Sequence, residues 1–489
     1  MTEPKDDSPR LSRSSLWRRQ QQFYEEQGTS AFFSGAVPSH ITTSAAIAAA
    51  YARIIRGLQQ DCLRQGDPSA PLYVVELGAG SARLAWKLLR KLEALEQLAP
   101  TGGPSVRYIL TDVAESNLRA SMAHPVLRPL IASGRIDFAL RDAGASGPLE
   151  LLASGERLEP GTLRNPLVVL GNYLFDSLEH DFFRVEGGVL QEGRLQPTPE
   201  GGEDVEALTF LLRNSMTVGF RPLQGEAYEE PEWNRLLEGY RQRLEGATFP
   251  FPIGAFRCME ALSQLAQGRW LVLAADKGYF SEEELRTERR PRIAWHEGCV
   301  SFMLNFHAMG AWVEGRGGFW LRGTETASRL NVAAWMLGFP PEAVPTTRLA
   351  FHEAIRALPP MERHALVNIL SGSIESHGPE QLLTLLRLSE WEPELIFRLG
   401  AQLPALLRSV PPLLRKEFLL AFEQVWRNDY PLRDTEDLAV RLAPLLRQLG
   451  CPAEAVDYLK RSEALYGERM EALYELRLSL EALGRQGMV

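Results

Sequence analysis

The sequence predicts an α/β protein: a doubly wound, mostly parallel sheet with a capping insertion and an all-α C-terminal domain. Three observations carry this. Short apolar runs that each end on a polar residue alternate with helical periodicities from residue 45 to residue 276, the pattern of strands joined by helical crossovers. Residues 185–268 interrupt that alternation with signals of their own. From about Pro340 strand signals vanish and the chain is Leu-rich and helical to its end. The expected organisation is an N-terminal extension (1–40), a sheet domain in two parts (41–184 and 269–339), the insertion (185–268) between them, and a helical domain (340–489).

Taken in order, residues 1–28 are rich in Asp, Ser, Arg and Gln and are expected to fray until Trp17 or Phe23 meets a core. After Thr42-Thr43-Ser44, a cluster suited to capping, Ile47, Tyr51, Ile54, Ile55 and Leu58 recur at helical spacing. Leu72–Leu77 is a short apolar run stopped by Gly78, which reads as a buried parallel strand. A helix over Leu84–Leu98 follows, ended by Pro100 and the loop Thr101–Pro104. Further strands are predicted at Val106–Leu110, Arg135–Leu140, Pro166–Leu170 and Arg269–Ala274, running out at Asp112, Asp142, Asn172 and Asp276, with a helix over Glu115–Met122. In such sheets ligands sit at the carboxyl ends of the strands, where these polar residues fall. A hairpin over Asp181–Gln191 turning at Gly187-Gly188, and a helix carrying Trp233, Leu236, Leu237, Tyr240 and Leu244, belong to the excursion that covers this edge. Thr248–Ile253, stiffened by two prolines, either lines an acceptor groove or packs in the core. In the helical region Gly450 and Gly484, Leu442 and Leu476, and Leu446 and Leu480 share one 34-residue offset. That period resembles the tetratricopeptide repeat, although the repeat's aromatic and proline positions are missing.

Composition excludes several classes. The chain has 489 residues, 45% hydrophobic and 24% charged, and 53 Lys plus Arg against 62 Asp plus Glu give a net charge of −9. Disorder throughout is excluded, and a nucleic-acid partner recognised by long-range attraction to phosphate is not expected. Met1–Gln20 lacks a signal-peptide core, and the longest apolar stretch, Ala45–Ile55, is cut by Arg53 and too short to span a bilayer. A cytoplasmic protein without a membrane partner is expected. Cys62, Cys258, Cys299 and Cys451 are too scattered for a disulfide framework or a zinc site. His296 and His307 lack metal-ligand spacing, so no metal is expected, and no G-x-S-x-G elbow is present.

The sharpest motif is Val74-Val-Glu-Leu-Gly-Ala-Gly-Ser81. Two glycines one residue apart let a ligand approach the backbone, and the following helix offers free N–H groups. A P-loop would need Lys then Ser or Thr, which is absent. A dinucleotide turn would prefer a third glycine where Arg83 stands. The remaining ligand type is S-adenosylmethionine, whose class I, Rossmann-like methyltransferases use E/D-x-G-x-G, and Glu76-Leu-Gly78-Ala79-Gly80 fits that form. Asp112 is placed to accept both ribose hydroxyls, with a helix cap before Ala114 as the alternative, and Asp142-Ala143 is placed for the adenine amine. The expected cofactor residues are therefore Glu76, Gly78, Ala79, Gly80, Ser81, Asp112, Asp142, Ala143 and Asn172.

Across residues 41–310 the chain resembles the family of the mitochondrial complex I assembly methyltransferase and its bacterial relatives. Ile41–Ile47 is similar to the family's T-S-P-E-I element, retaining Thr43, Ser44 and Ile47, and Glu76–Gly80 to its glycine motif. Asn172–Leu178 with Phe182–Val185 resembles N-E-x-x-D-A-L and its following strand, Asp276–Tyr279 the D-Y-G turn, and Val300–Phe306 the end of D-x-T-x-H-V-D-F. The departures are Ala45-Ala46 for Pro-Glu, Tyr173 for Glu, and Met303 for His. Losing two carboxylates removes what would hold a guanidinium, so the resemblance implies the donor half of the site more firmly than the acceptor half.

Methyl transfer needs in-line alignment, exclusion of water and a proton acceptor. Asp176 is the expected base or cation-orienting group, with Asn172 and Tyr173 positioning the acceptor; the alternative for Asp176 is a helix cap. Glu179 and His180 are expected as solvated loop residues. The predicted activity is S-adenosylmethionine-dependent methylation, of nitrogen, on a protein or peptide recruited by the helical domain. A competing expectation is an assembly factor or scaffold that binds the cofactor, or nothing, and works through its helices. A homodimer is compatible with either.

Overall fold

The computed structural model describes residues 8–28, 41–100, 102–195, 218–296, 299–323, 330–374, 378–408, 410–431 and 437–486. Its centre is a sheet whose main strands are β1 (Leu72–Leu77), β2 (Val106–Asp112), β3 (Ile136–Leu140), β4 (Leu167–Leu170), β5 (Trp270–Tyr279), β6 (Phe319–Arg322) and β7 (Leu330–Leu337). They lie in the order 3-2-1-4-5-7-6. All are parallel except β7, which runs antiparallel to both β5 and β6. A short strand, Leu304–Asn305, adds to the end of β5.

The apolar runs that predict these strands work because both sheet faces are covered. Along β1, Leu72 and Val74 enter one core with Tyr108, Leu110, Val168 and Leu271. Val75 and Leu77 enter the other with Ile109, Val169 and Val272. Strict alternation between two buried faces gives a continuous hydrophobic run rather than a half-polar one. Each fully buried Val or Leu contributes roughly 1.5–3 kcal/mol.

The first face is covered by α2 (Ala45–Gln65) and α3 (Arg83–Leu98), preceded in the chain by α1 (Leu16–Gln27) and followed by α4 (Glu115–Ala123). Ser44 caps α2 by accepting the Ile47 N–H at 3.3 Å. The second face is covered by the helices Ile253–Leu265 and Phe306–Gly315 and by the insertion. The insertion is a four-stranded antiparallel sheet in the order Thr248–Phe251, Asp181–Glu186, Val189–Leu195, Val218–Pro222. Its hairpin turns at Gly187 and Gly188, both at positive φ (58° and 74°), as a two-residue turn matched to strand twist requires. Phe249 and Phe251 are wholly buried, so the proline-stiffened segment is an edge strand packed into the core and not a groove wall.

The C-terminal region is all-α from Pro345 onward, with its own core around Leu383, Phe418, Phe422 and Leu442. It is not detached from the sheet. The helix Pro345–Phe351 packs on α2, and its Thr347 N–H and Oγ–H both donate to Asp61 Oδ2 (2.8 and 2.7 Å). The boundary expected at residue 340 thus falls inside a shared core. The 34-residue offset pairs unlike surroundings: Leu446 is fully buried and Leu480 is 48% exposed, and Gly450 turns at φ 75° whereas Gly484 lies within the last helix. Leu442 and Leu476 do pack in the same core, so only part of the offset is matched by equivalent burial across the helices Leu438–Gln448, Pro452–Tyr466 and Met470–Gln486. Among the described residues, no helix is long and apolar enough to cross a membrane.

Candidate functional site

The strand order reverses between β1 and β4, and the crevice beyond the carboxyl ends of those strands is where such sheets bind ligands. A cavity of about 370 Å³ lies there, within the range of small-molecule and cofactor sites.

Its floor is the turn after β1. Gly78 and Gly80 both have positive φ (64° and 52°), and Ala82, the residue before α3, shares that conformation at 61°. The turn is fastened to β2 by the Ala79 N–H donating to the Thr111 carbonyl (2.9 Å) and the Gly80 N–H donating to Asp112 Oδ2 (2.9 Å). No side chain caps α3, so its leading N–H groups stay available near the cavity.

Four strand ends supply the walls. Asp112 is only 5% exposed, and its Oδ1 accepts the Ala114 N–H (2.9 Å) while Oδ2 also accepts from Asn117 (3.3 Å). The carboxylate both shapes the turn before α4, which no side chain caps, and lines the cavity. Burial holds its carboxyl above the usual carboxylate range. Glu76 is buried with it, accepting the Tyr108 hydroxyl at 2.7 Å, and burial pushes it up to about 8. Asp142 is exposed, its Oδ1 accepting the Gly144 N–H at 2.8 Å. Glu76, Gly78, Ala79, Gly80, Ser81, Asp112, Asp142, Ala143, Asn172 and Tyr173 all line this one cavity.

Asn172 has less freedom than its position suggests. Its Oδ1 accepts from the Tyr51 hydroxyl (2.7 Å) and the Ala275 N–H (2.9 Å), and its Nδ2 donates to the Thr42 carbonyl (2.9 Å). The amide ties α2, the loop before it and β5 to the end of β4. Tyr173 follows at φ 48°, an uncommon conformation for an aromatic residue, with its N–H donating to the Ala275 carbonyl (3.0 Å). Burial raises its phenol.

Asp176 is brought elsewhere. It is 4% exposed, does not line the cavity, and its backbone N–H donates to Asp276 Oδ2 at 3.1 Å while Ser177 Oγ donates to its Oδ1 at 2.8 Å. Asp276 is wholly buried. Burial raises both carboxyls, and the Asp176 charge raises Asp276 further. In place of the expected acceptor contact, the short helical turn Phe175–Ser177 carries Asp176 in a buried carboxyl pair with Asp276. His180, expected in solvent, is wholly buried against Phe302 with Nδ1 at 2.8 Å from the Leu178 carbonyl, and burial pushes it down to about 4. Glu179 does line the cavity.

The roof was not foreseen from sequence. Trp17, Arg18, Gln20, Gln21 and Tyr24 of α1 line the cavity. Gln20, 4% exposed, anchors the helix by donating to the Ser177 carbonyl and accepting the Val300 N–H, both at 2.8 Å. Among the described residues no cluster of His, Cys, Asp and Glu could hold a metal ion.

No family model matches the chain, and no curated protein does. Solved structures do. A protein from Burkholderia thailandensis bound to S-adenosyl-homocysteine, assigned there as a candidate methyl transferase, is 16% identical over 62% of this chain and 79% of its own, with a TM-score of 0.40. An uncharacterised protein of the same superfamily and organism is 15% identical over 67% and 87%, with a TM-score of 0.43. Loganic acid methyltransferase with S-adenosyl-homocysteine is 10% identical over 79% and 91%, with a TM-score of 0.29. By its own strand order the chain has the Rossmann-like sheet of the methyltransferase type, with an all-α C-terminal region.

Proposed function

We propose that the cavity holds S-adenosylmethionine and that the chain is a methyltransferase acting on a protein or peptide acceptor, at nitrogen. The observation that carries this reading is the convergence of the glycine turn, Asp112, Asp142-Ala143 and Asn172 on one cavity at the switch point. The fit is chemical as well as spatial. Gly78 admits a close neighbour, since a side chain there would meet Leu174 Cδ1 at 3.3 Å. Asp112 accepts three hydrogen bonds, two at Oδ2 and one at Oδ1, which leaves room at Oδ1 for one ribose hydroxyl. The wall also carries the carboxylates Asp142 and Glu179, suited to a cationic ligand, and the turn lacks the Lys of a phosphate cradle.

The cofactor, when bound, supplies an electrophilic methyl group on a sulfonium. The chain's own residues do the rest: Asp112 and the glycine turn orient the donor, α1 excludes water from above, and Tyr173, Leu174 and Leu178 flank the space left for an acceptor. Glu179 is a carboxylate of the cavity wall and is the group we assign to orienting a cationic acceptor and to taking the proton that its nitrogen releases as the N–C bond forms. Leu366, Ile369 and Leu370, exposed on one face of the helix Pro360–Gly372, support recruitment of a protein partner there. The second reading, a cofactor-binding assembly factor, is favoured by the withdrawal of Asp176 and the full engagement of the Asn172 carbonyl oxygen.

Calorimetry with S-adenosylmethionine tests the donor site. The unmodified chain is expected to bind, and Asp112→Asn to bind about tenfold more weakly or worse; no binding by the unmodified chain sinks both readings' cofactor. Label transferred from the donor to protein in a lysate, lost in Glu179→Gln, then separates enzyme from assembly factor.

A further inference from the structure

The turn Ser389–Glu392 joins two C-terminal helices and reaches back to the sheet domain. Glu390 and Trp391 both have left-handed backbone (φ 58° and 66°), an uncommon pairing for residues with side chains that has to be held by its surroundings. Asn428 holds it, its Nδ2 donating to the carbonyls of Glu390 and Trp391, both at 2.9 Å. The conformation sends two glutamates to the same pair of helices. Glu390 takes Arg53 of α2 (3.1 Å) and Lys91 of α3 (3.3 Å). Glu392 takes the N-terminal ends: Oε2 accepts the Ala45 N–H of α2 and Oε1 accepts the Lys87 ammonium of α3, each at 2.6 Å.

Those two helix ends are the parts of the fold that lead into the cavity. Thr42 and Thr43, just before α2, line it, as do Ser81 and Leu84 at the start of α3. The Thr42 carbonyl is also the acceptor for Asn172. Ala45 presents one of the free N–H groups at a helix start, and a carboxylate there is favoured by the helix dipole as well as by the hydrogen bond. Lys87 is nearly inaccessible, with its side chain 4% exposed, so its charge needs a partner at that spot.

We infer that Glu392 is a positioning residue for the donor site: the C-terminal helical region clamps α2 to α3 through this side chain and so sets the distance between the Thr42–Thr43 wall and the glycine turn. The inference rests on the proposal that the cavity takes S-adenosylmethionine. It gives the helical region a duty inside the site in addition to any partner it recruits.

The experiment is calorimetry of the full chain with S-adenosyl-homocysteine, alongside hydrogen exchange of residues 41–47. Glu392→Ala is expected to weaken binding about tenfold, the scale of one lost charge-assisted hydrogen bond at a site wall, and to speed exchange in 41–47. Glu392→Asp is expected to restore most of the affinity. Leu459→Ala, buried in the C-terminal core on the helix Pro452–Tyr466, is expected to lower Tm with affinity unchanged, which separates positioning from general stability. If Glu392→Ala does not fold, Glu392→Gln and Lys87→Met carry the same expectation. Normal affinity in the folded Glu392 variants, with the unmodified chain binding, overturns the clamp and leaves the donor site standing. Absence of binding in the unmodified chain overturns the donor site and the clamp with it.

Discussion

Gly78 leaves β1 in a conformation that L-residues rarely adopt, with Leu174 standing 3.3 Å from where its Cβ would be. Gly78→Ala is therefore expected to cost about 1 kcal/mol and to weaken donor binding, read by thermal melts and calorimetry. This residue was legible in the sequence because the constraint is local: a glycine at a strand end has few other reasons to be there. Asp176 was legible only in part. Its place at the end of β4 follows from the apolar run before it, but its partner Asp276 comes from β5, and a pairing between residues a hundred positions apart leaves no trace in spacing. The pair has a titration consequence. Both carboxyls are raised by burial, and Asp276 further by its neighbour, so the folded chain holds protons that an unfolded chain releases near pH 4. Their contribution to stability is full below that value and is lost as pH rises through the raised folded range. Asp276→Asn removes one such group. Urea unfolding at about pH 5 and pH 8 is expected to show a stability loss smaller by roughly 1–2 kcal/mol in the variant. An equal loss in both chains would mean that Asp276 is not raised in the folded chain.

Helix α1 and strand β7 illustrate two different reasons for missing an element. Leu330–Leu337 is an apolar run buried at every position, so its signal is as strong as that of β1 and only its antiparallel insertion between β5 and β6 is unreadable from one sequence. Leu16–Gln27 has no such signal. Of its twelve residues only Leu16 and Gln20 are buried, and the anchoring is polar: Gln20 satisfies the Ser177 carbonyl and the Val300 N–H, residues far away in the chain. A helix fixed by an amide in this way looks like a solvated segment until its partners are known. Gln20→Ala leaves the Val300 N–H buried without an acceptor, at about 1–3 kcal/mol. The expected outcome is faster hydrogen exchange across 16–27 with the sheet strands unchanged, and unaltered exchange there would show that Leu16 and Trp17 packing and the Glu25 bonds to α4 hold the roof without it.

On the scale of the whole molecule, the division into a sheet domain and a helical domain is a division of secondary structure more than of core. Phe351, Ala354, Ile355 and Tyr430 from the C-terminal part join Ile54, Leu58, Leu88 and Leu273 in one buried cluster. The sequence separates these residues because the period changes from strands to helices near Pro340, whereas burial depends on which helices fold back over α2, and periodicity is silent about that. The same layer holds the Asp61–Thr347 bonds and the paired glutamates at Glu390 and Glu392. Unfolding should then be a property of the combined body. Phe351→Ala removes a large side chain that is 1% exposed, at roughly 3–5 kcal/mol, and is expected to lower the melting of sheet and C-terminal helices together in one calorimetric transition. Two separate transitions, with the helical one unmoved by the substitution, would mean that the C-terminal core is stable on its own and that the contacts to α2 and α3 are a docking interface rather than a common core.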